Sequence, residues 1–130
     1  MTNPNQQKTK MIAALLGALA VIAGAFGAHA LKVHLPSDSL AVWNVAVFYQ
    51  LVHLMAILAL SGSTRTNYFW LAGIVLFSGS LYLLSTTTLH MLNINWLGPI
   101  TPVGGLCFIL GWLSFVRDLW LDKPKNGGTA

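Results

Sequence analysis

The chain alternates long apolar stretches with short polar breaks. Four stretches approach the roughly 20 apolar residues that a helix needs to cross about 30 Å of hydrocarbon. They run from about Met11 to Leu31, Leu40 to Leu60, Tyr68 to Leu89 and Pro102 to Leu121. Each is apolar on all sides, as membrane helices are, so no amphipathic stripe marks a water-facing side. The breaks carry helix-start chemistry. Ser37 or Asp38, after Pro36, suits the N-cap of the second helix, and Thr66 or Asn67 that of the third. Thr101 followed by Pro102 suits the N-cap and first position of the fourth. The flanks, residues 1–10 and 122–130, are polar and predict frayed tails. The pattern predicts an all-α fold: one transmembrane domain over residues 1–130, an antiparallel four-helix bundle.

Composition agrees. Of 130 residues, 55% are hydrophobic and only 8% charged, against about 25% charged in a soluble domain. Lys8, Lys10, Arg65, Arg117, Lys123 and Lys125 fall on one side of a four-span chain, and Lys32 alone on the other. Basic residues favour the cytoplasmic side, so both termini are expected there. The head is not the Arg- and Ser-rich type of an organelle transit peptide, so the bacterial inner membrane is the expected location. Trp43 and Trp96 fall at the outer level, and Tyr68, Trp70 and Trp120 at the inner, where amphipathic rings favour the headgroups. Trp112 falls near mid-membrane, where packing explains it. No basic stripe interleaves with aromatics, so no nucleic-acid partner is expected.

GAFGAHAL, residues 24–31, contains an A-x-A site of the kind signal peptidase cuts. Signal apolar cores run about 7–15 residues, and this stretch stays apolar from Met11 to Leu31. It also carries Gly17, Ala20, Gly24 and Gly27/Ala28 at a spacing that lets membrane helices approach closely. A retained first helix is the expectation.

Polar side chains inside the spans are the candidate chemistry. Tyr49, Gln50 and His53 fall at helical spacing in the second span, and Ser78, Ser80 and Tyr82 at overlapping depth in the third. A polar group left alone in hydrocarbon costs several kcal/mol. Tyr49, Gln50, His53, Ser78 and Tyr82 therefore form a candidate intramembrane site, or a set of ties between helices. His29, Asn44 and His90, with His34 nearby, form a second candidate cluster at the outer face, read chiefly as interface polar groups. Gly104, Cys107, Gly111 and Ser114 make a small-residue stripe in the fourth helix, and Arg117 beside Asp118 suits anchoring at the inner interface.

There is no Ser-His-Asp set, carboxylate pair, phosphate loop, H-E-x-x-H or CxxC, and Cys107 stands alone. No enzyme activity, cofactor or metal is expected. The leading expectation is a non-enzymatic accessory or scaffold protein that meets lipid, a membrane-protein partner or a second copy through small-residue faces. The alternatives are an oligomeric channel or transporter subunit lined by Gln50, His53, Ser78 and Tyr82, and an outer-face ligand- or metal-binding module.

Four motifs in order carry a resemblance: GAFGAHAL, the pattern of Ala46, Tyr49, Gln50 and His53, FSGSLYLL in the third helix and LGPITPVGG before the fourth. They resemble the domain of unknown function 423, the UPF0382 family of small bacterial inner-membrane proteins related to the eukaryotic transmembrane protein 256. The likeness runs from about Met11 to Trp120. It implies a four-helix integral membrane protein that keeps its first helix, and it implies no activity.

Overall fold

The computed structural model describes residues 3–60 and 62–122. Lys123 and Lys125, which entered the charge count, lie outside the described residues with the rest of the tail after Asp122. Among the described residues all regular structure is helical. Four helices are long and apolar enough to cross a membrane: α1 (Pro4–His29), α2 (Ser37–Ala59), α3 (Thr64–Ser85) and α4 (Ile100–Leu121). Helical geometry is forced there, because lipid offers backbone groups no other partners.

The helix ends differ from the sequence expectation, each for a local reason. The polar head is helical from Pro4 instead of frayed to Lys10. Pro4 opens the helix, and Asn3 Oδ1 accepts the Asn5 N–H at 3.0 Å. Thr9, inside that head, is fully buried. Ser37 is already helical, Pro36 takes the cap position, and no side chain caps α2. Ser63 caps α3 in place of Thr66 or Asn67, its hydroxyl accepting the Thr66 N–H at 3.3 Å. α4 starts at Ile100 after Pro99, so Thr101 is inside the helix and is freed to bond elsewhere.

α3 is not uniform. Ile74–Ser78 form one π-helical turn near its middle. Such a turn fits an extra residue into the helix and offsets the faces of the residues after it. After α3, a turn at Thr87–His90 ends at Met91, which takes a left-handed conformation, φ 54°. The loop to α4 closes with a turn at Asn95–Leu97.

Consecutive helices run antiparallel. Gln6, early in α1, donates to the Gly62 carbonyl after α2 at 2.9 Å. Trp43, early in α2, donates from Nε1 to the Ala23 carbonyl late in α1 at 2.9 Å. α1 packs on α2 and on the start of α3, α2 packs along α3, and α4 packs chiefly on α3. Membrane helices gain little from hydrophobicity against lipid, so close van der Waals contact and hydrogen bonds hold them together. Small residues make the contact close. Ala13, Ala20 and Gly27 recur every seventh residue along α1 and are buried against its neighbours. A Cβ on Gly27 would lie 2.7 Å from the Trp43 ring. Between α3 and α4 the fit is reciprocal. The Phe108 ring covers Gly73, the Trp70 ring covers Gly111, and Gly104 lies against the Phe77 backbone at the π-turn.

Candidate functional site

Gln50 is buried near the middle of α2 and joins three helices. Its Nε2 donates to the Leu16 carbonyl of α1 at 3.0 Å. Its Oε1 accepts the Tyr82 hydroxyl of α3 at 2.7 Å. Ser78, at the end of the π-turn, donates to the Ala46 carbonyl of α2 at 2.8 Å. Ser80 has one proton, which goes to the Phe77 carbonyl at 2.9 Å, so Thr101 donates to Ser80 across 2.6 Å and ties α4 to α3.

His53 turns the other way, toward α4. Its Nδ1 meets the Tyr49 carbonyl at 2.7 Å, and its Nε2 meets the indole N–H of Trp112 at 3.1 Å. The Phe108 ring stacks on the imidazole, centroids 3.6 Å apart and planes within 10°. The candidate set is thus split by the helix that carries it. Gln50, Tyr82 and Ser78 serve the α1–α2–α3 contact, while Tyr49 and His53 face α4. Trp112 and Phe108, read from sequence as packing or not singled out, complete the His53 environment. The available signal was that an indole N–H at membrane depth needs an acceptor.

The backbones of α2 and α4 stay apart, and only side chains span the gap. The gap is a groove of about 670 Å3. Its walls are Tyr49, Val52 and His53 on one side and Gly105, Phe108 and Trp112 on the other, with Phe77 from the π-turn between them. Phe48, Leu106 and Ile109 at its margin are more than half exposed, so it opens sideways, where lipid lies. No charged side chain lines it.

At the end of the bundle that holds Asn3 and Asp122, a polar knot ties the chain together. Asp118 Oδ2 accepts the Ser63 N–H at 2.8 Å and the Thr66 hydroxyl at 2.7 Å. The single Thr66 proton is then used, so Ser114 supplies the proton for its 2.8 Å bond to Thr66. Arg65 Nε donates to Ser114 at 3.3 Å. Asn67 Nδ2 donates to Thr9 Oγ1 at 3.1 Å, which anchors the buried head of α1. The Arg65 charge acts on Asp118, so a cation is near it as a carboxylate at that interface needs, and its direct bonds finish the N-terminus of α3, where four backbone N–H groups lack helical partners.

At the opposite end, His29, His34 and Asn44 are exposed. His90 spends both ring nitrogens nearby in the chain: Nε2 meets the Leu83 carbonyl of α3 at 3.3 Å, and Nδ1 accepts the Leu92 N–H at 3.1 Å. Among the described residues no three His, Cys, Asp or Glu side chains converge as a metal site. The aromatic pattern needs one correction. Tyr68, Trp96 and Trp120 are exposed as interface rings would be, but Trp70 is fully buried among Gly111, Trp112 and Phe115.

Four apolar spans tied helix to helix by several of their polar side chains define a small α-helical membrane-bundle protein. The chain belongs to the family described as protein of unknown function DUF423, whose profile matches residues 23–105. A UPF0382 membrane protein of Staphylococcus saprophyticus is 44% identical over 114 residues, covering 82% of this chain and 91% of its own. The UPF0382 membrane protein YwdK of Bacillus subtilis is 40% identical over 116 residues, covering 82% of this chain and 90% of its own. No solved structure matches.

Proposed function

We propose that the protein is a non-enzymatic accessory protein of the bacterial inner membrane, with both termini cytoplasmic, that holds a lipid-like molecule in the groove between α2 and α4. The groove carries this reading: it is apolar, set at membrane depth and open toward the bilayer. Ligand sites are concave and mostly apolar with a few placed polar groups, and this one has the Tyr49 hydroxyl. The small-residue stripes support partner contacts less well, because Ala20, Gly27, Gly104, Gly111 and Ser114 of those stripes are buried within the chain, which leaves Gly17, Gly24, Ala28 and Cys107 partly or fully at the surface. A partner protein or a second copy would meet large side chains such as Leu15, Leu19 and Leu113, which are exposed. A conducting path is also less well supported, since both ends of the Gln50 amide are taken by neighbouring helices.

Native mass spectrometry of protein released gently from its own membrane tests the proposal. The expected spectrum shows one lipid-mass adduct per chain, and its loss in Gly105→Leu, which fills the groove. A bare chain, or an adduct that survives Gly105→Leu, would overturn it.

A further inference from the structure

We infer that the α2–α4 groove is shaped for a neutral lipid headed by a planar, carbonyl-bearing ring, the quinone class, and not for a phospholipid. This rests on the groove reading above and names its ligand. Charge comes first. No Lys, Arg, Asp or Glu lines the groove, and the sequence has none between Arg65 and Arg117. A phosphate head is recognised by Lys and Arg, and here it would find neither. A neutral head suits such walls.

Shape comes next. Rings make up about half of the walls, interspersed with Val52, Pro102, Leu106 and Ile109. Tyr49 stacks toward Phe108 at 6.0 Å with planes 27° apart, and packs on Phe77 at 4.7 Å. Flat rings add to such an array by offset or edge contact. Phe77, within the π-turn, packs on both Tyr49 of α2 and Phe108 of α4. The groove runs from Pro102 to Trp112 along α4, about 15 Å at helical rise, so a long apolar tail must leave through the side that opens to lipid.

Hydrogen bonding selects the head group. His53 Nδ1 and Nε2 and Trp112 Nε1 already have partners. The Tyr49 hydroxyl, on a groove-lining ring that is 39% exposed, makes no hydrogen bond to another side chain or backbone group among the described residues. An unmet hydroxyl in hydrocarbon is costly, and a ligand carbonyl would accept its proton.

The test titrates decylubiquinone into delipidated full-length protein in detergent micelles and follows tryptophan emission, since Trp112 borders the groove. A Cβ on Gly105 meets only the Phe77 ring, at 3.9 Å, so a side chain can start there, and Gly105→Leu is the variant that fills the groove. Saturable quenching is expected, with affinity about tenfold or more lower in Gly105→Leu and about threefold or more lower in Tyr49→Phe. Quenching that never saturates, or that is alike in all three proteins, would overturn the inference, as would equal displacement by phosphatidylglycerol. If Gly105→Leu fails to fold by thermal melting, the Tyr49→Phe titration decides, and unchanged affinity is then the overturning result. A native lipid adduct lost in Gly105→Leu, together with no saturable decylubiquinone binding, defeats this inference and leaves the proposed function standing.

Discussion

The indole N–H of Trp112 donates to Nε2 of His53 across the gap between α4 and α2. An indole only donates and the Tyr49 carbonyl only accepts, so His53 holds its proton on Nδ1. One ring thereby links two helices whose backbones do not touch. Trp112→Phe should lower stability by about 0.6–1.7 kcal/mol, the range of hydrogen bonds inside membranes. His53→Ala, which also loses the Phe108 stack, should cost about 2 kcal/mol or more. Thermal unfolding in detergent measures both. Nitrogen NMR should find the Nδ1–H tautomer in the parent and in Trp112→Phe alike, since the Tyr49 carbonyl still accepts that proton, with only the Nε2 resonance shifted by loss of the indole donor. A mixture in the parent would contradict the geometry.

Gln50 is the joint of α1, α2 and α3. Tyr82→Phe removes the donor to its Oε1 and should cost about 1 kcal/mol. Gln50→Leu keeps the bulk but loses both bonds and strands the Tyr82 hydroxyl, so it should cost more than Tyr82→Phe alone. Combined, the two changes should sum to less than their separate effects, because Tyr82→Phe removes the stranded hydroxyl. Full additivity in denaturant titrations would show that the two side chains do not interact.

Glycines should separate sharply by what they face. A Cβ on Gly104 would run into the backbone at Phe77, which cannot swing aside as a side chain can. Gly104→Ala should therefore destabilise by about 1–3 kcal/mol. Gly17 and Gly79 have nothing within 4 Å of an added Cβ, so Ala there should stay within about 0.5 kcal/mol of the parent. Melting temperatures of the three variants, measured side by side, check the ranking.

Asp118 caps a helix to which it does not belong. Asp118→Ala leaves the Ser63 N–H and the Thr66 hydroxyl without their shared acceptor and should cost about 1–2 kcal/mol. Asp118→Asn keeps one acceptor oxygen and should cost less. Hydrogen exchange at Ser63 and in the first turn of α3 should rise more in the alanine variant. Equal exchange in all three proteins would remove Asp118 from that role.

The four spans were legible because their apolar runs are long and the breaks between them short. Depth was legible too, and it placed Gln50, His53, Ser78 and Tyr82 at similar levels. Azimuth was not. Spans that are apolar all round carry no periodic signal for which side faces which helix, so the split of Gln50 from His53 was hidden. The π-turn at Ile74–Ser78 hid it further, because it shifts every later residue of α3 against an ideal count. The head of α1 was misjudged on polarity alone. Gln6 and Thr9 look solvated in sequence, yet they find partners at Gly62 and Asn67, far along the chain.

Two of the bonds that hold α1 end on its peptide carbonyls, at Leu16 and Ala23. Side-chain replacement cannot delete a carbonyl. Mutation can therefore reach those fastenings only from the other helix, at Gln50 and Trp43. The lipid-facing positions of α1 are left free to drift among apolar residues, while Ala13, Ala20 and Gly27 must stay small. From Leu16 to Ala23 the first helix is thus largely a replaceable text written on a fixed spine, and its grip there is inherited through its neighbour.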